Sequence, residues 1–288
     1  MPERITPRKH LGQHFLTDPN ILAAVADLAG PPADADVVEI GPGPGGLTRT
    51  LLARGLRVLA VEIDPACCRR LREELGGETR FRLIEADARR VDWTGALATA
   101  GWRLPAAVLG NFPYNVGTHL VRTLLPRRDL FTRIGGILQD EVVRRITAPP
   151  GAADYGYLSL CCRYYAEGWA GARIRPGAFH PPPKVQSRIF RLTLRPAPLL
   201  PPELEAAFLA LAGVAFRAPR KTLLNNLPAP EGRAAARRWL TAAGLDAAVR
   251  PGVLGLEQYL ELTRRLAAEK ALAAIPAPDY NGEDSQVP

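Results

Sequence analysis

The stretch DVVEIGPGPGGLTRTLLARGLRVLAVEID, Asp36–Asp64, decides the fold. Its first run, DVVEI (36–40), is short, apolar and rich in β-branched residues, the pattern of a strand buried on both faces. Glycines and prolines follow at once. GGLTRTLLARG (45–55) then carries leucines at helical spacing and closes on Gly55. RVLAVEI (57–63) is a second apolar run. Strand, glycine loop, helix and strand make the βαβ unit of a parallel sheet, whose ligands bind beyond the carboxyl ends of the strands.

The pattern continues outward. Pro65–Leu75 reads as a helix, FRLIEA (81–86) and AAVLGN (106–111) as strands, GTHLVRTLL (117–125) as a helix and IGGILQ (134–139) as a strand. YGYLSLCCRYYA (155–166) reads as a helix. KVQSRIFRLTLR (184–195) alternates with period two and is expected to close the sheet as an antiparallel edge. The fold class is therefore α/β. Four segments are expected: an arm and helix over 1–33, with Asp18 as N-cap and Pro19 at the first helical position; a sheet domain over 34–197; a small all-helical domain over 198–272; and a polar, acidic, disordered tail over 273–288.

Hydrophobic residues make up 47% of the 288 and charged residues 23%, which is ordinary globular composition. No apolar run approaches the roughly 18–20 residues of a membrane span. MPERITPRKHLGQHFL at the start lacks the apolar core of a signal peptide, so a cytoplasmic location is expected. The cysteines fall as two adjacent pairs, Cys67-Cys68 and Cys161-Cys162, neither a zinc spacing nor a spread disulfide framework, and no metal site is expected. Net charge is +8, and residues 181–270 alone carry +7. Arg outnumbers Lys 33 to 4. Such bias swaps one base for another but does not concentrate bases in one region. A surface that meets phosphates does.

Three groups sit at expected strand ends. In EIGPGPGG (39–46), Gly41 and Gly43 let backbone approach a ligand at a helix N-terminus, and Gly41, Gly43 and Gly46 satisfy a dinucleotide fingerprint that is weak alone. The alternative is a tight turn without a ligand. Glu62 lies 21 positions beyond Gly41, where an acid commonly accepts from ribose hydroxyls, the alternative being a solvated charge. Asp87, in EADARR, is either an acceptor for an adenine amino group or a helix N-cap. A nicotinamide dinucleotide and S-adenosylmethionine both fit these three.

Asn111-Phe112-Pro113-Tyr114 separates them. Hydride transfer has no evident use for NFPY at a strand end, whereas methylation of an exocyclic amine does. The N6 lone pair of adenine is delocalised into the ring. Two acceptors aimed at the N6 hydrogens, the Asn111 amide oxygen and the Phe112 main-chain carbonyl, favour the pyramidal amine whose lone pair can attack. Pro113 fixes the backbone so that the two converge. Tyr114 offers a face for stacking, worth about 1–3 kcal/mol per base in other systems.

The segments KHLGQHFLTD, VVEIGPGPGGLT, AVEID, ADA, GNFPYNVGTHL, LQDEVVRRITAPPGAADYGYLSL, RPGAFHPPPKVQSRIFRL and AFRAPRKTLLNNL together closely resemble the KsgA/RsmA family of small-subunit (16S) rRNA adenine N6-dimethyltransferases. The resemblance runs from about Lys9 to Leu227, and more loosely to Leu262. It implies a Rossmann-like class I methyltransferase sheet and S-adenosyl-L-methionine as cofactor. It implies that Gln13, His14 and Leu16 line the cofactor pocket, that Gly41 contacts the methionine part, Glu62 the ribose and Asp87 the adenine, with Gly43, Ile63 and Ala88 completing the contacts. Asn111 would bridge cofactor and target base, and Phe179 would be the second aromatic of the base site beside Tyr114, the alternative being a loop anchor packed into the core. The implied partner is 16S rRNA within a 30S subunit or its precursor, met as a monomer, with Arg8, Lys9, Lys184, Arg217, Arg220 and Lys221 on the RNA.

Some positions depart from the family pattern. His14 stands where Asn is frequent, leaving open whether its ring or its backbone makes the contact, and Phe112 stands where Leu or Ile is frequent. Pro44 and Gly46 alter the glycine loop, and Ala218 and Pro219 replace a polar residue and a base. Independently of the family, Pro219 is expected as a first helical residue ahead of Leu223, Leu224 and Leu227. That places Arg220 and Lys221 in a first turn, where the helix dipole disfavours cations and an anionic partner would compensate. Two rivals remain: a large-subunit rRNA adenine dimethyltransferase of antibiotic-resistance type, and a non-catalytic ribosome assembly factor.

Overall fold

Side chains that are covered on both faces make strands of the apolar runs: Val37, Val38, Val58, Ala60, Val61, Val108 and Leu109 are each 1% exposed or less. The computed structural model describes residues 5–8, 12–30, 36–230 and 232–276. In chain order it holds β1 (Phe15–Leu16), α1 (Pro19–Ala26), β2 (Asp36–Ile40), α2 (Gly46–Ala53), β3 (Arg57–Glu62), α3 (Pro65–Leu75), β4 (Phe81–Glu85), α4 (Trp93–Ala100), β5 (Ala106–Asn111), α5 (Gly117–Leu124) and β6 (Phe131–Gln139). There follow α6 (Asp140–Thr147), α7 (Tyr157–Tyr165), β7 (Ala166–Ile174), β8 (Phe179–His180), β9 (Ser187–Leu194), α8 (Pro202–Phe216), α9 (Leu223–Asn226), α10 (Arg233–Ala242) and α11 (Leu256–Ala268). Asp18 caps α1, its carboxylate accepting the Asn20 and Ile21 amides, and Pro19 opens the helix.

Seven strands form one sheet in the order β4-β3-β2-β5-β6-β9-β7, parallel from β4 to β6 and antiparallel across β6-β9 and β9-β7. The chain starts at β2, winds out to β4, then returns to β5. The strand order therefore reverses between β2 and β5, where Ile40 stands opposite Gly110. That is the crevice in which doubly wound sheets bind ligands, and it brings the glycine loop after β2 beside NFPY after β5.

One expectation is corrected. β9 is antiparallel, but it is not the edge: β7, AEGWAGARI, lies outside it. Two glycines break the alternation of β7, and most of its residues are exposed, so its pattern reads as loop. A side chain at Gly171 would collide with the Trp169 indole, which covers this edge.

The chain divides into two compact units. One is Met1–Val143 with Ala166–Pro196; the other is Arg144–Tyr165 with Ala197–Pro288. The segment 144–165, expected within the sheet domain, groups with the C-terminal helices because Tyr164 stacks on Phe208 of α8 at 4.4 Å and the Tyr165 hydroxyl donates to Glu205 at 2.8 Å. The second unit is helical, as its leucine spacing required. Two details there differ from expectation. The short α9 starts at Leu223 behind Thr222, not at Pro219, and the Lys221 amide donates to the Ala218 carbonyl within the preceding turn. Arg220 and Lys221 thus stand before the helix rather than in its first turn, and the dipole argument for them falls. Of the tail expected to be disordered, 273–288, the first two residues end a 3-10 turn, Ala271–Ala274, and Ile275 is buried; residues 277–288 lie outside the described residues. All four cysteines are buried. Among the described residues no helix is long and apolar enough to cross a membrane, and no group of three or more His, Cys, Asp or Glu could hold a metal ion.

Candidate functional site

The glycine loop is folded back onto Glu62. Gly41 (φ +66°) donates its amide to the Val61 carbonyl at 2.9 Å, and Gly43 (φ +54°) donates to Glu62 Oε2 at 2.9 Å. A Cβ on Gly43 would stand 2.9 Å from the Phe15 ring, so both the left-handed backbone and the close approach require glycine there. Glu62 Oε1 accepts the Ile63 and Asp64 amides at 2.9 and 2.8 Å. Burial raises the Glu62 carboxyl above its ordinary value, opposed by these three amide donors.

Glu39, one strand in, is 1% exposed and accepts the Thr48 hydroxyl at 2.6 Å. Burial raises its pKa from the ordinary 4.5 to about 8. The folded chain therefore keeps a proton that the unfolded chain has lost. The stability Glu39 contributes is complete below pH 4.5 and is lost as pH rises through about 8. Glu39→Gln is expected to raise Tm at pH 8.5–9 by an amount worth about 1–4 kcal/mol, and to leave it near the parent value at acid pH. Calorimetry across pH checks this; a pH-independent difference between the two proteins would count against it.

The N-terminal arm closes one side of the site. Gln13 donates Nε2 to Asp64 at 3.0 Å and accepts the Arg8 amide at 2.8 Å, and the Arg8 guanidinium lies 3.6 Å from the same buried Asp64 carboxylate. Arg8, expected on RNA, thus has its amide on Gln13 and its guanidinium on Asp64, the N-cap of α3. Lys9 lies outside the described residues. The His14 ring holds the Pro181 carbonyl through Nδ1 at 2.8 Å, while the His14 main-chain carbonyl accepts Asn111 Nδ2 at 2.6 Å. Ring and backbone are therefore both engaged, each with a different partner.

That second bond fixes the chemistry of Asn111. A carbonyl can only accept, so the carboxamide must turn its NH2 towards His14 and its oxygen the other way. Asn111 Oδ1 is buried and has no hydrogen-bond partner. Buried acceptors are seldom left so, and Asn111 borders the cleft. Next to it, Phe112 is fully buried, packs on Phe190 at 5.7 Å and donates its amide to the Ile137 carbonyl. The Val116 and Gly117 amides both return to the Pro113 carbonyl, forming the turn that presents Tyr114.

The cleft encloses about 810 Å³, including its open mouth. Gln13, His14, Gly41, Gly43, Glu62, Ile63, Asp87, Ala88 and Asn111–Tyr114 line it together. Asp87 caps the turn Ala88–Arg90, and its carboxylate is gripped by the Arg89 guanidinium, which holds it below its ordinary pKa. Two expected residues are elsewhere. Leu16 pairs with Phe179 across the β1-β8 ladder, and both side chains pack on the core. Leu16 also borders a smaller cavity behind the glycine loop. Phe179 is 3% exposed, in the cluster with Leu28, Ile174 and Ile189, so it forms no wall of the cleft. Phe15 and Arg89 do line it and were not anticipated. An aromatic inside a polar arm was the available signal for Phe15; nothing marked Arg89. Lys184, Arg217, Arg220 and Lys221 are exposed.

A family model for ribosomal RNA adenine dimethylase matches residues 5–268. The chain belongs to this family. It is an rRNA adenine dimethyltransferase by family. Ribosomal RNA small subunit methyltransferase A of Magnetococcus marinus is 38% identical over 262 residues, covering 90% of this chain and 91% of that protein. The 23S rRNA methyltransferase ErmE superposes with a TM-score of 0.68 at 28% identity, covering 88% of this chain and 99% of that one. A dimethyladenosine transferase from Plasmodium falciparum shares the fold, with a TM-score of 0.73 at 22% identity, covering 89% of this chain and 98% of that one.

Proposed function

We propose that this dimethylase uses S-adenosyl-L-methionine to place two methyl groups on N6 of each of two adjacent adenosines in the hairpin loop near the 3′ end of 16S rRNA. It acts in the cytoplasm, as a monomer, on a 30S subunit or its precursor. The observation that carries the adenine chemistry is the unpartnered, buried Oδ1 of Asn111, a residue of the cleft wall.

The residues present fit the cofactor. Gly41 and Gly43 supply a cradle that a Cβ would spoil, Glu62 supplies a buried carboxylate for ribose hydroxyls, and exposed Ile63 supplies an apolar wall for a purine. Asp87 takes the adenine amino group, giving up one of its Arg89 contacts for it. S-adenosylmethionine bound there supplies an electrophilic methyl. The chain's own part is positioning and electrostatics, with no covalent protein intermediate. Asn111 Oδ1 and the Phe112 carbonyl accept the two N6 hydrogens. Both are uncharged, so neither brings a charge that must be desolvated. Tyr114 carries the base on its face. An extruded base is cheapest to obtain from a single-stranded loop. In the second transfer only one N6 hydrogen remains, so one of the two acceptors goes unused. The basic residues of the helical unit, Arg217, Arg220 and Lys221 among them, and Lys184 of the sheet unit meet RNA phosphates.

Small-subunit specificity is favoured by the relatives that carry it in their names at 37–40% identity, against 28% for the 23S enzyme. Isolated 30S and 50S particles from unmethylated cells, incubated with labelled cofactor, test it. Label is expected in 30S as dimethyladenosine at two neighbouring positions; label confined to 50S would reverse the assignment.

A further inference from the structure

The base-stacking face of Tyr114 does not hold itself in place. Its hydroxyl is hydrogen-bonded to Ser187 Oγ, and its ring lies 5.4 Å from the His14 ring at a tilt of 32°. Ser187 is fully buried and opens β9, where it is paired with Gln139 of β6 on one side and Ile174 of β7 on the other. A buried residue laddered on both sides, in the middle strand of an antiparallel triplet, moves only if the sheet opens. Tyr114, by contrast, sits in a turn, with two side-chain torsions free to vary. A bond at the far end of its ring removes that freedom. The His14 ring beside it is itself anchored, through Nδ1, to the Pro181 carbonyl. Both anchors come from the segment 180–187, whose Phe179 neighbour faces the core instead of the cleft.

We propose that Ser187 is a positioning residue for methyl transfer, acting through Tyr114: it locks the plane on which the target adenine stacks. The segment 179–187 then contributes to the base site through a hydroxyl, with its aromatic residue serving the core. The inference rests on the reading of Tyr114 as the stacking platform. Loss of the lock costs orientation of the base, so it lowers transfer to RNA without weakening the cofactor, whose contacts lie on the arm and after β2, β3 and β4.

The test is a double-variant cycle, Ser187→Ala, Tyr114→Phe and both together, assayed on 30S particles at a temperature where each protein is fully folded. Each single change is expected to lower kcat/KM for RNA about five- to tenfold, the worth of one neutral hydrogen bond. Monomethyladenosine should accumulate, and the cofactor Kd from calorimetry should stay at the parent value. The double variant should be no worse than the poorer single one, since both remove the same bond. Parent-level kcat/KM in Ser187→Ala, or losses that multiply in the double variant, would overturn the proposal. If Ser187→Ala does not fold, Tyr114→Phe breaks the same bond without touching the buried strand, and parent-level transfer by it is equally fatal. Tyr114→Ala separates the two levels of inference. If it transfers normally, the stacking assignment itself fails. If it is crippled while Tyr114→Phe and Ser187→Ala are normal, only the role of Ser187 fails.

Discussion

Asn111→Ala is expected to lower kcat for methyl transfer by about 10²- to 10³-fold, the loss seen when one preorganised hydrogen-bonding group is taken from a transition state. The cofactor Kd should rise far less than kcat falls, through the loosened arm, and the affinity for RNA should change little. The size follows from where the carboxamide stands. Its nitrogen is spent on the His14 carbonyl, and its oxygen is buried with no partner in the protein. An acceptor kept dry and unpaired costs stability in the free enzyme. That cost is recovered only when an N–H arrives. Alanine removes the acceptor and also leaves the His14 carbonyl without its donor, loosening the arm that carries Gln13 and Phe15.

Asn111→Asp sharpens the test. A carboxylate keeps the acceptor but turns an oxygen, instead of an NH2, towards the His14 carbonyl. It should therefore be as slow as alanine at neutral pH. It should recover in part as pH falls, when the protonated acid can donate to His14. Single-turnover rates on 30S particles with saturating cofactor measure both effects. Parent-rate turnover by Asn111→Ala would remove the carboxamide from the chemistry.

Glu62→Ala is expected to raise the cofactor Kd by about 10²-fold or more, as the loss of charge-assisted bonds of about 1.5–3 kcal/mol each would do. Two effects combine. The ribose loses its acceptor, and the glycine loop loses the group on which the Gly43, Ile63 and Asp64 amides converge. Stability should fall less than three lost bonds suggest, because removing Glu62 also removes a carboxyl whose burial is unfavourable. Binding, not Tm, is therefore the sensitive readout. Glu62→Gln should rescue little: its NH2 must face at least one of the three amide donors. Calorimetric titration with S-adenosylmethionine decides; parent-like affinity in Glu62→Ala would remove ribose recognition from this residue.

How far the sequence could be read depended on the kind of information each element carries. β2, α3 and β5 were legible to the residue, because a buried strand or a proline-opened helix is a local pattern. So was the meeting of the glycine loop with NFPY, since a doubly wound sheet places both at the same strand ends. β7 was not legible, because its glycines and its exposed face erase the alternation that marks a strand. Phe179 and Leu16 were misplaced for a different reason. In a two-residue ladder, the side chain that faces the core is set by the partner strand, and neither strand contains that information. Arg8 is a base whose partner, Asp64, is 56 positions away and is reached only after folding.

The amino-acid order alone determined that this chain is a βαβ-built, adenosine-recognising enzyme with an amide and an aromatic at one strand end, because periodicity, turn chemistry and motif spacing are properties of neighbouring residues. Tertiary structure alone decided which way the Asn111 amide faces, what grips Tyr114, and that Phe179 belongs to the core. Those depend on His14, Ser187 and Leu16, which lie 97, 73 and 163 positions away along the chain and become neighbours only when the sheet closes around the site.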